Sequence, residues 1–138
     1  MKYGNFAHVP LIELIKARKF DRVSPDITDK RFPIPGRLWN DYKVFHFGEG
    51  VSSKEIVKRI QAGGYEPANS HELLLWEGWN GEDIVVALGS VAKIRGYRSV
   101  LYLDTKGLKW NLYFSWWGGI WDISCHFLAV RKPSVPNP

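Results

Sequence analysis

The 138-residue chain contains a single cysteine, Cys125, which excludes an internal disulfide framework. Its four histidines stand far apart, none has the spacing of a metal site, and no cofactor-binding motif is present. The longest apolar run, IVVALGSVA, is too short to cross a bilayer, and the N-terminal stretch lacks the apolar core of a signal peptide. We therefore expect a soluble cytoplasmic protein without a metal, a cofactor or a membrane partner.

Long blocks of like charge are also absent. Lysine and arginine number 19 against 14 acidic residues, a net charge of +5, and acids are interleaved along most of the chain. This distribution is typical of a solvated surface. The exception is the group Lys93, Arg95 and Arg98, which no acid interrupts. It supports one alternative function, a nucleic-acid-associated protein that contacts phosphates through these residues and stacks bases on exposed aromatic rings.

Length and composition indicate one globular domain over residues 1–138. Hydrophobic residues make up 45% of the chain and aromatic residues 14%, so a few large side chains can fill much of a core. We expect a helix and an irregular wrapping segment in residues 1–41, an α+β core in residues 42–132 and a flexible tail in residues 133–138. Three prolines and a glycine keep the stretch 21–40 irregular, while its apolar residues predict that it covers the core.

Three stretches have helical patterns. PLIELIKARKF places Leu11, Leu14, Ile15 and Ala17 on one face. SSKEIVKRIQAGG begins with Ser52 and Glu55 in the spacing of a capping box, and its buried stripe is Ile56, Val57 and Ile60. ANSHELLLW begins with Asn69 or Ser70 as the N-cap.

Five stretches predict strands: YKVFHF, DIVVALGS, SVLYLD, LKWNLYFSWW and CHFLAVRK. The near-continuous apolar character of DIVVALGS is typical of a central strand that is buried on both faces. Helices and a strand come first and a run of strands follows. The order predicts a single α+β domain with a mainly antiparallel sheet and two or three helices on one side of it.

Four of the seven tryptophans lie between residues 110 and 121. Strand alternation predicts that Leu108, Trp110, Leu112, Phe114 and Trp116 share the core face. Gly118 and Gly119 then break the strand, and the following mixture of aromatic and small polar residues is typical of a contact surface. We predict a binding or interaction module for an unidentified protein or small ligand. The candidate binding residues are Tyr113, Ser115, Trp117, Trp121, Asp122, Ser124 and His126. In the alternative interpretation of Trp121, its ring folds back onto the sheet edge.

A small hydrolase or transferase is a further alternative. It would use Cys125 as a nucleophile activated by His46 or His71. His126 is disfavoured as the base, because neighbouring residues of a strand point to opposite faces.

The stretches AGGYEPANSHELLLW (62–76), IVVALGS (84–90) and HFLAVRK (126–132) together resemble a family of small uncharacterised proteins of bacteria with reduced genomes. The family pattern is an Ala-Gly-Tyr-x-Pro-Ala step into a Glu-Leu-Leu helix, then a Val-Ala-Leu-Gly-Ser strand, a tryptophan-rich strand and a Phe-Leu-Ala-Val-Arg ending. The resemblance covers about the last 90 residues of the chain. It implies no particular activity.

The C-terminal layout also resembles the C-type-lectin-like variable proteins that retroelements diversify. In that family a tryptophan-containing loop of changeable residues precedes a closing strand of the Phe-Arg-Leu-Ala type. The resemblance implies a lectin-like fold and variable positions at Tyr113, Ser115, Gly118, Ile120, Asp122, Ser124 and His126. The chain departs from the pattern because no matching arginine follows Phe127.

Overall fold

A computed structural model describes residues 8–134 of the chain. In this range the helices are α1 (Leu11–Arg18), α2 (Ser53–Ala62) and α3 (Ser70–Leu75), with a short 3-10 turn at Lys106–Leu108. The strands are β1 (Arg22–Val23), β2 (Asp41–His46), β3 (Val51–Ser52), β4 (Glu66–Pro67), β5 (Ile84–Ile94), β6 (Tyr97–Asp104), β7 (Asn111–Trp116), β8 (Ile120–Trp121) and β9 (Cys125–Arg131). The predicted single α+β domain is confirmed. The tail expected at 133–138 falls largely outside the described residues.

The main sheet is mixed, with the strand order β1-β7-β6-β5-β9-β2, and β4 also pairs with β9. β3 and β8 form a separate two-stranded sheet. Antiparallel pairs dominate, as predicted, and the parallel pairs are β1 with β7 and β5 with β9. The strand predicted to be central, β5, lies between β6 and β9. No helix among residues 8–134 has the length and apolar character needed to cross a membrane.

Both faces of the sheet are covered, which corrects the prediction that the helices lie on one side. On the first face, α1, α3 and the wrapping segment pack over side chains such as Val85 and Leu128. On the second face, α2 and the β3–β8 sheet pack over Val86 and Phe127. The reason lies in the apolar runs 84–88 of β5 and 127–130 of β9, where successive side chains point to opposite faces, so that these parts of the two strands must be buried on both faces.

The wrapping segment contributes to the first-face core as expected. Ile27 and Phe32 are buried, whereas Ile34, also expected to cover the core, is 40% exposed. Ala17 of α1, predicted to be on the buried face, is exposed as well. The burial of α1 thus rests on Leu11, Leu14 and Ile15.

The wrapping segment is held to α3 by an ion pair between the partly exposed Arg37 and the buried Glu72. Glu72 is fully buried, and its carboxylate accepts hydrogen bonds from Arg37 Nε at 3.2 Å and Arg37 Nη2 at 2.7 Å. The same carboxylate accepts the backbone N–H groups of Trp39 at 2.7 Å and Asn69 at 2.9 Å. The Asn69 side chain in turn accepts the N–H of Glu72, so Asn69 is the N-cap of α3 in a complete capping box.

At α2 the predicted cap is present, but only half of the box forms. The Ser52 side chain accepts the N–H of Glu55 at 3.3 Å. The Glu55 carboxylate binds Arg59 one turn later instead of returning to the N-cap. Ile56 and Ile60 are fully buried and Val57 is half-buried.

The prediction that five alternating residues of the tryptophan-rich strand share the core is wrong for three of them. Leu112 and Phe114 pack against the first-face core. Leu108, Trp110 and Trp116 are 97%, 49% and 55% exposed. Leu108 belongs to the 3-10 turn and β7 begins only at Asn111. Alternation predicts which side a residue points to, but not how far along the strand the other elements cover that side.

The residues that carry the family resemblance meet at a bulge of β5. Its pairing with β6 shifts register between Ala87 and Ala92. In the bulge, Gly89 donates its N–H to the Ala68 carbonyl at 2.8 Å. The Ser90 hydroxyl accepts the first N–H of α3, from Ser70, at 2.7 Å. The PANS and VALGS stretches are therefore two sides of one packing contact.

Candidate functional site

An open groove lies between β7 and β8, where the sequence predicts a contact surface. Its volume is about 420 Å³, and its lining residues are Phe114, Ser115, Trp116, Gly118, Gly119, Ile120 and Trp121. Gly119 takes a φ of 91°, a backbone conformation that favours glycine and lets the chain turn tightly into β8. Ile120 is 70% exposed at the rim. The groove combines large apolar side chains with accessible backbone.

Trp121 is a half-buried wall of this groove. Its ring packs edge-on against Phe127 at a centroid distance of 5.9 Å. Its Nε1 donates to the Ser53 hydroxyl at 2.7 Å, and that hydroxyl donates to the Trp117 carbonyl at 2.5 Å. These bonds fasten the loop between β7 and β8 to the start of α2. The position fits the alternative interpretation, in which the ring folds back onto the sheet.

Tyr113 and Ser115 lie on the second face, on the part of β7 next to the groove. The Tyr113 ring contacts Tyr102 on the neighbouring strand at a centroid distance of 6.2 Å. Burial, followed by the charge of Asp104, raises the pKa of the Tyr102 hydroxyl above its ordinary value. The Tyr102 hydroxyl thus remains a neutral hydrogen-bonding group at physiological pH.

Trp117 is half-buried in the second-face core, and the Arg98 guanidinium lies 5.0 Å from its ring centroid. Asp122 and Ser124 form the exposed turn that leads into β9. The Asp122 carboxylate accepts the N–H of Ser124 at 2.8 Å, and hydrogen bonding from Ser124 lowers the pKa of Asp122. The two residues shape the turn beyond β8.

His126 is separated from the other candidate residues, because it points to the first face of the sheet. Its ring stacks on His46 of β2 at a centroid distance of 4.3 Å. Its Nε2 lies 3.7 Å from an Asp83 carboxylate oxygen. Six of the seven candidates therefore lie on or near the groove, and His126 lies apart from them beside His46 and Asp83.

A second cavity, of about 210 Å³, lies next to these histidines on the first face. It is lined by Val44, Trp76, Gly78, Trp79, Asn80, Asp83 and Val85. We call it the Trp79 cavity. None of these residues is among the predicted site residues. One signal could have revealed it, since the segment WEGWNGED (76–83) holds two tryptophans, three acids and no basic residue within a basic chain.

Two of the three basic residues of the nucleic-acid alternative already contact other side chains of this chain. Arg95 forms an ion pair with Asp26 at 2.9 Å, and Arg98 covers one face of Trp117. Lys93 lies opposite Arg98 across the β5–β6 pair. Another open cavity, of about 620 Å³, is lined by Thr28, Lys30, Arg31, Ala92 and Lys93. Binding of nucleic acid through these residues stays a prediction.

The thiol of Cys125 lies in the second-face core with Phe127 and Ala129, whereas His46 and His126 stack on the first face. Burial, followed by the charge of Asp122, raises the pKa of the thiol. His71, the other proposed base, is fully buried at the start of α3 beside the Ser70 hydroxyl. A pairing of Cys125 with His46 or His126 across the sheet is therefore excluded in this structure.

We expect Cys125 to react slowly with iodoacetamide in the folded protein at neutral pH, and quickly after unfolding. Only the thiolate is nucleophilic, the raised pKa keeps its concentration low, and burial keeps the reagent away from it. Mass spectrometry of alkylated protein with and without guanidinium chloride measures the two rates. Rapid labelling of the folded protein would contradict this expectation and favour the hydrolase or transferase alternative.

Among residues 8–134, no three histidine, cysteine or acidic side chains are placed to hold a metal ion together. Comparison with protein-family models, with curated proteins and with solved structures finds no match to this chain. The class of protein that is established is thus the single α+β domain with a mixed sheet. The two family resemblances and the lectin-like fold stay predictions.

Proposed function

We propose that this protein is a binding module whose contact surface is the groove between β7 and β8 together with the turn that follows it. The observation that supports the proposal is the groove of about 420 Å³ with large apolar side chains left exposed at its rim. Trp116 and Ile120 are 55% and 70% exposed, and Ile123 of the following turn is also exposed. Contiguous exposed apolar side chains rimmed by polar groups are typical of interaction sites.

The walls of the groove are fixed before any partner arrives. Trp121 is tied to Ser53 and packed on Phe127. Trp116 stacks on Tyr97 at a centroid distance of 4.5 Å. Ile120 sits directly over Gly50, where an added Cβ would lie 2.8 Å from its Cγ2. Rigid walls reduce the entropy lost on binding, so such a groove is suited to specific contact.

Polar groups accompany the apolar walls. Ser115 lines the groove, and the Asp122–Ser124 turn follows β8 directly. Aromatic side chains with few conformations beside small polar residues are the composition of known contact surfaces. The partner that fits this surface is an aromatic or aliphatic group of a small ligand or of another protein.

We expect phenol, used as a small aromatic probe, to shift the backbone amide resonances of residues 115–121 more than those of the rest of the chain. Ile120→Ser removes part of the rim and should weaken this response. Leu108→Ser is the matched control, because Leu108 is 97% exposed and lies outside the groove. Both surface substitutions should change the free energy of unfolding by no more than about 0.5 kcal/mol.

Nuclear magnetic resonance titration of the parent and the two variants makes this comparison. Shifts spread evenly over the surface, or an equal response in the Ile120→Ser variant and the parent, would contradict the proposal. Shifts confined to the Trp79 cavity would also count against the groove.

A further inference from the structure

We propose that the Trp79 cavity is a binding site for a small organic cation, an amine or a quaternary ammonium group. The cavity lies on the first face of the sheet, whereas Tyr113, Ser115 and Trp121 of the proposed contact surface belong to the second. The inference therefore does not depend on the proposed function. It rests on the aromatic walls of the cavity, on a carboxylate that no lysine or arginine among the described residues neutralises, and on the acidic local sequence.

Two tryptophan rings form the walls, and both are held in place. Gly78 lies so close to Trp76 that an added Cβ would be 2.5 Å from the indole Nε1, so the glycine lets the chain close over this ring. Trp79 donates its Nε1 to the Asp83 carbonyl at 2.8 Å and packs against Trp110 at a centroid distance of 5.5 Å. The rings thus form a preorganised aromatic surface.

The polar group of the cavity is the Asp83 carboxylate, which is 44% exposed. Its Oδ2 accepts a hydrogen bond from the neutral amide of Asn80 at 2.9 Å. The His126 ring is 3.7 Å away from the same oxygen, beyond hydrogen-bond distance. Among the described residues, no lysine or arginine forms an ion pair with Asp83. The carboxylate is therefore available to an incoming positive charge.

The sequence around Asp83 is acidic, and the one arginine that contacts it among the described residues is Arg18 of α1, which donates to the Trp76 carbonyl at 2.8 Å and attracts the Glu77 carboxylate. The segment 76–83 contains Glu77, Glu82 and Asp83 without a basic residue, although the whole chain has a net charge of +5. A local excess of negative charge attracts cations and disfavours anions. A tightly coordinated metal ion is not the expected ligand, since no group of three ligating side chains is present among residues 8–134.

Tryptophan rings and a carboxylate that line the same cavity are suited to an alkylated ammonium group. The negative faces of tryptophan rings attract cations, and weakly hydrated ammonium groups lose little on leaving water. The volume of about 210 Å³ is the space of roughly seven water molecules at ~30 Å³ each. Small amines and choline-sized ions fit into such a space.

Choline is the probe for the test, and dimethylbutanol, its uncharged carbon isostere, is the matched ligand control. The indole Nε1–H resonance of Trp79 reports binding in the intact chain, with sodium chloride used to match ionic strength. We expect saturable shifts with choline, with a Kd on the order of 1 mM, and at least about tenfold weaker binding of the isostere.

Two isosteric variants test the role of the carboxylate. Asp83→Asn should weaken choline binding by about tenfold or more, because it removes the charge while keeping the shape. Glu82→Gln, which makes the same charge change at a neighbour outside the cavity lining, should leave the Kd within about twofold.

Three results would overturn the proposal. Equal binding of choline and its isostere by the parent would indicate an apolar cavity without charge recognition, and this comparison needs no variant to fold. Equal losses in the two variants would indicate diffuse electrostatic attraction. No saturable shift at the Trp79 resonance would show that the cavity does not bind the cation.

Discussion

Replacing Glu72 with glutamine should lower the free energy of unfolding by about 3 kcal/mol or more, because the carboxylate is fully buried and the Arg37 guanidinium and two backbone N–H groups lose their charged acceptor. The Glu72 side chain is 0% exposed, and all of its four hydrogen bonds are accepted by the carboxylate. In glutamine, an amide nitrogen takes the place of one oxygen. This nitrogen is itself a donor and cannot accept the hydrogen bonds that the oxygen accepts. The loss is a large fraction of the total stability of an ordinary domain, which is about 5–15 kcal/mol.

Chemical denaturation followed by tryptophan fluorescence measures this change. Glu55→Gln is the control, because the Glu55 carboxylate pairs with Arg59 at the surface, where such a pair contributes about 0–1 kcal/mol. In a double-mutant cycle, the loss caused by Arg37→Met and that caused by Glu72→Gln should not add, since both remove the same interaction. Equal denaturation midpoints for Glu72→Gln and the parent would contradict this account.

The ion pair also shows why part of the fold could be predicted from the sequence. The sequence predicts a cap at Asn69 or Ser70 with Glu72 in the first turn, and the structure selects Asn69, three residues before Glu72. Arg37 lies 35 residues away from Glu72 in the chain. No local pattern identifies it as the partner, because the pairing depends on where the wrapping segment crosses α3.

In the sheet, too, local patterns could be predicted from the sequence and long-range placement could not. The apolar run of β5 predicts burial on both faces, and the structure confirms it. The prediction that the helices lie on one side of the sheet is wrong. The amphipathic patterns of α1, α2 and α3 indicate that each helix packs on a sheet, but they do not indicate on which face. Trp110 and Trp116 were placed in the core for a related reason, because alternation along β7 continues beyond the part of the sheet that other elements cover.

Among the candidate site residues, those from one continuous segment could be predicted to lie together, and those from distant segments could not. Tyr113, Ser115 and Trp121 were predicted from a continuous segment, and they lie on or beside one groove because the segment forms a strand and a tight turn. His126 could not be separated from them by sequence alone, since its neighbours His46 and Asp83 come from a distant strand and loop. A site whose residues come from distant segments needs the strand pairing, which a single sequence does not contain.

Replacing Gly89 with alanine should destabilise the protein by at least about 3 kcal/mol, through overpacking and the loss of two hydrogen bonds. The reason is close approach rather than backbone conformation. An added Cβ would lie 2.5 Å from the Pro67 carbonyl oxygen and 2.6 Å from that of Ala68. These are backbone atoms of the segment that leads into α3, so relief of the clash requires β5 and this segment to separate. Separation would break the bonds from Gly89 to Ala68 and from Ser70 to Ser90.

Gly48→Ala is the matched control for this substitution, because no atom lies within 4 Å of the position that its Cβ would take. Alanine at an unstrained position restricts the unfolded chain, so the control should be neutral or stabilising by up to about 1 kcal/mol. Urea denaturation of both variants measures the difference, and hydrogen exchange of the Ser70 amide should become faster in the Gly89→Ala variant alone. If both alanine variants unfold at the same urea concentration, β5 does not pack against residues 67–68 as closely as the structure indicates, and the glycine of the VALGS stretch has another role.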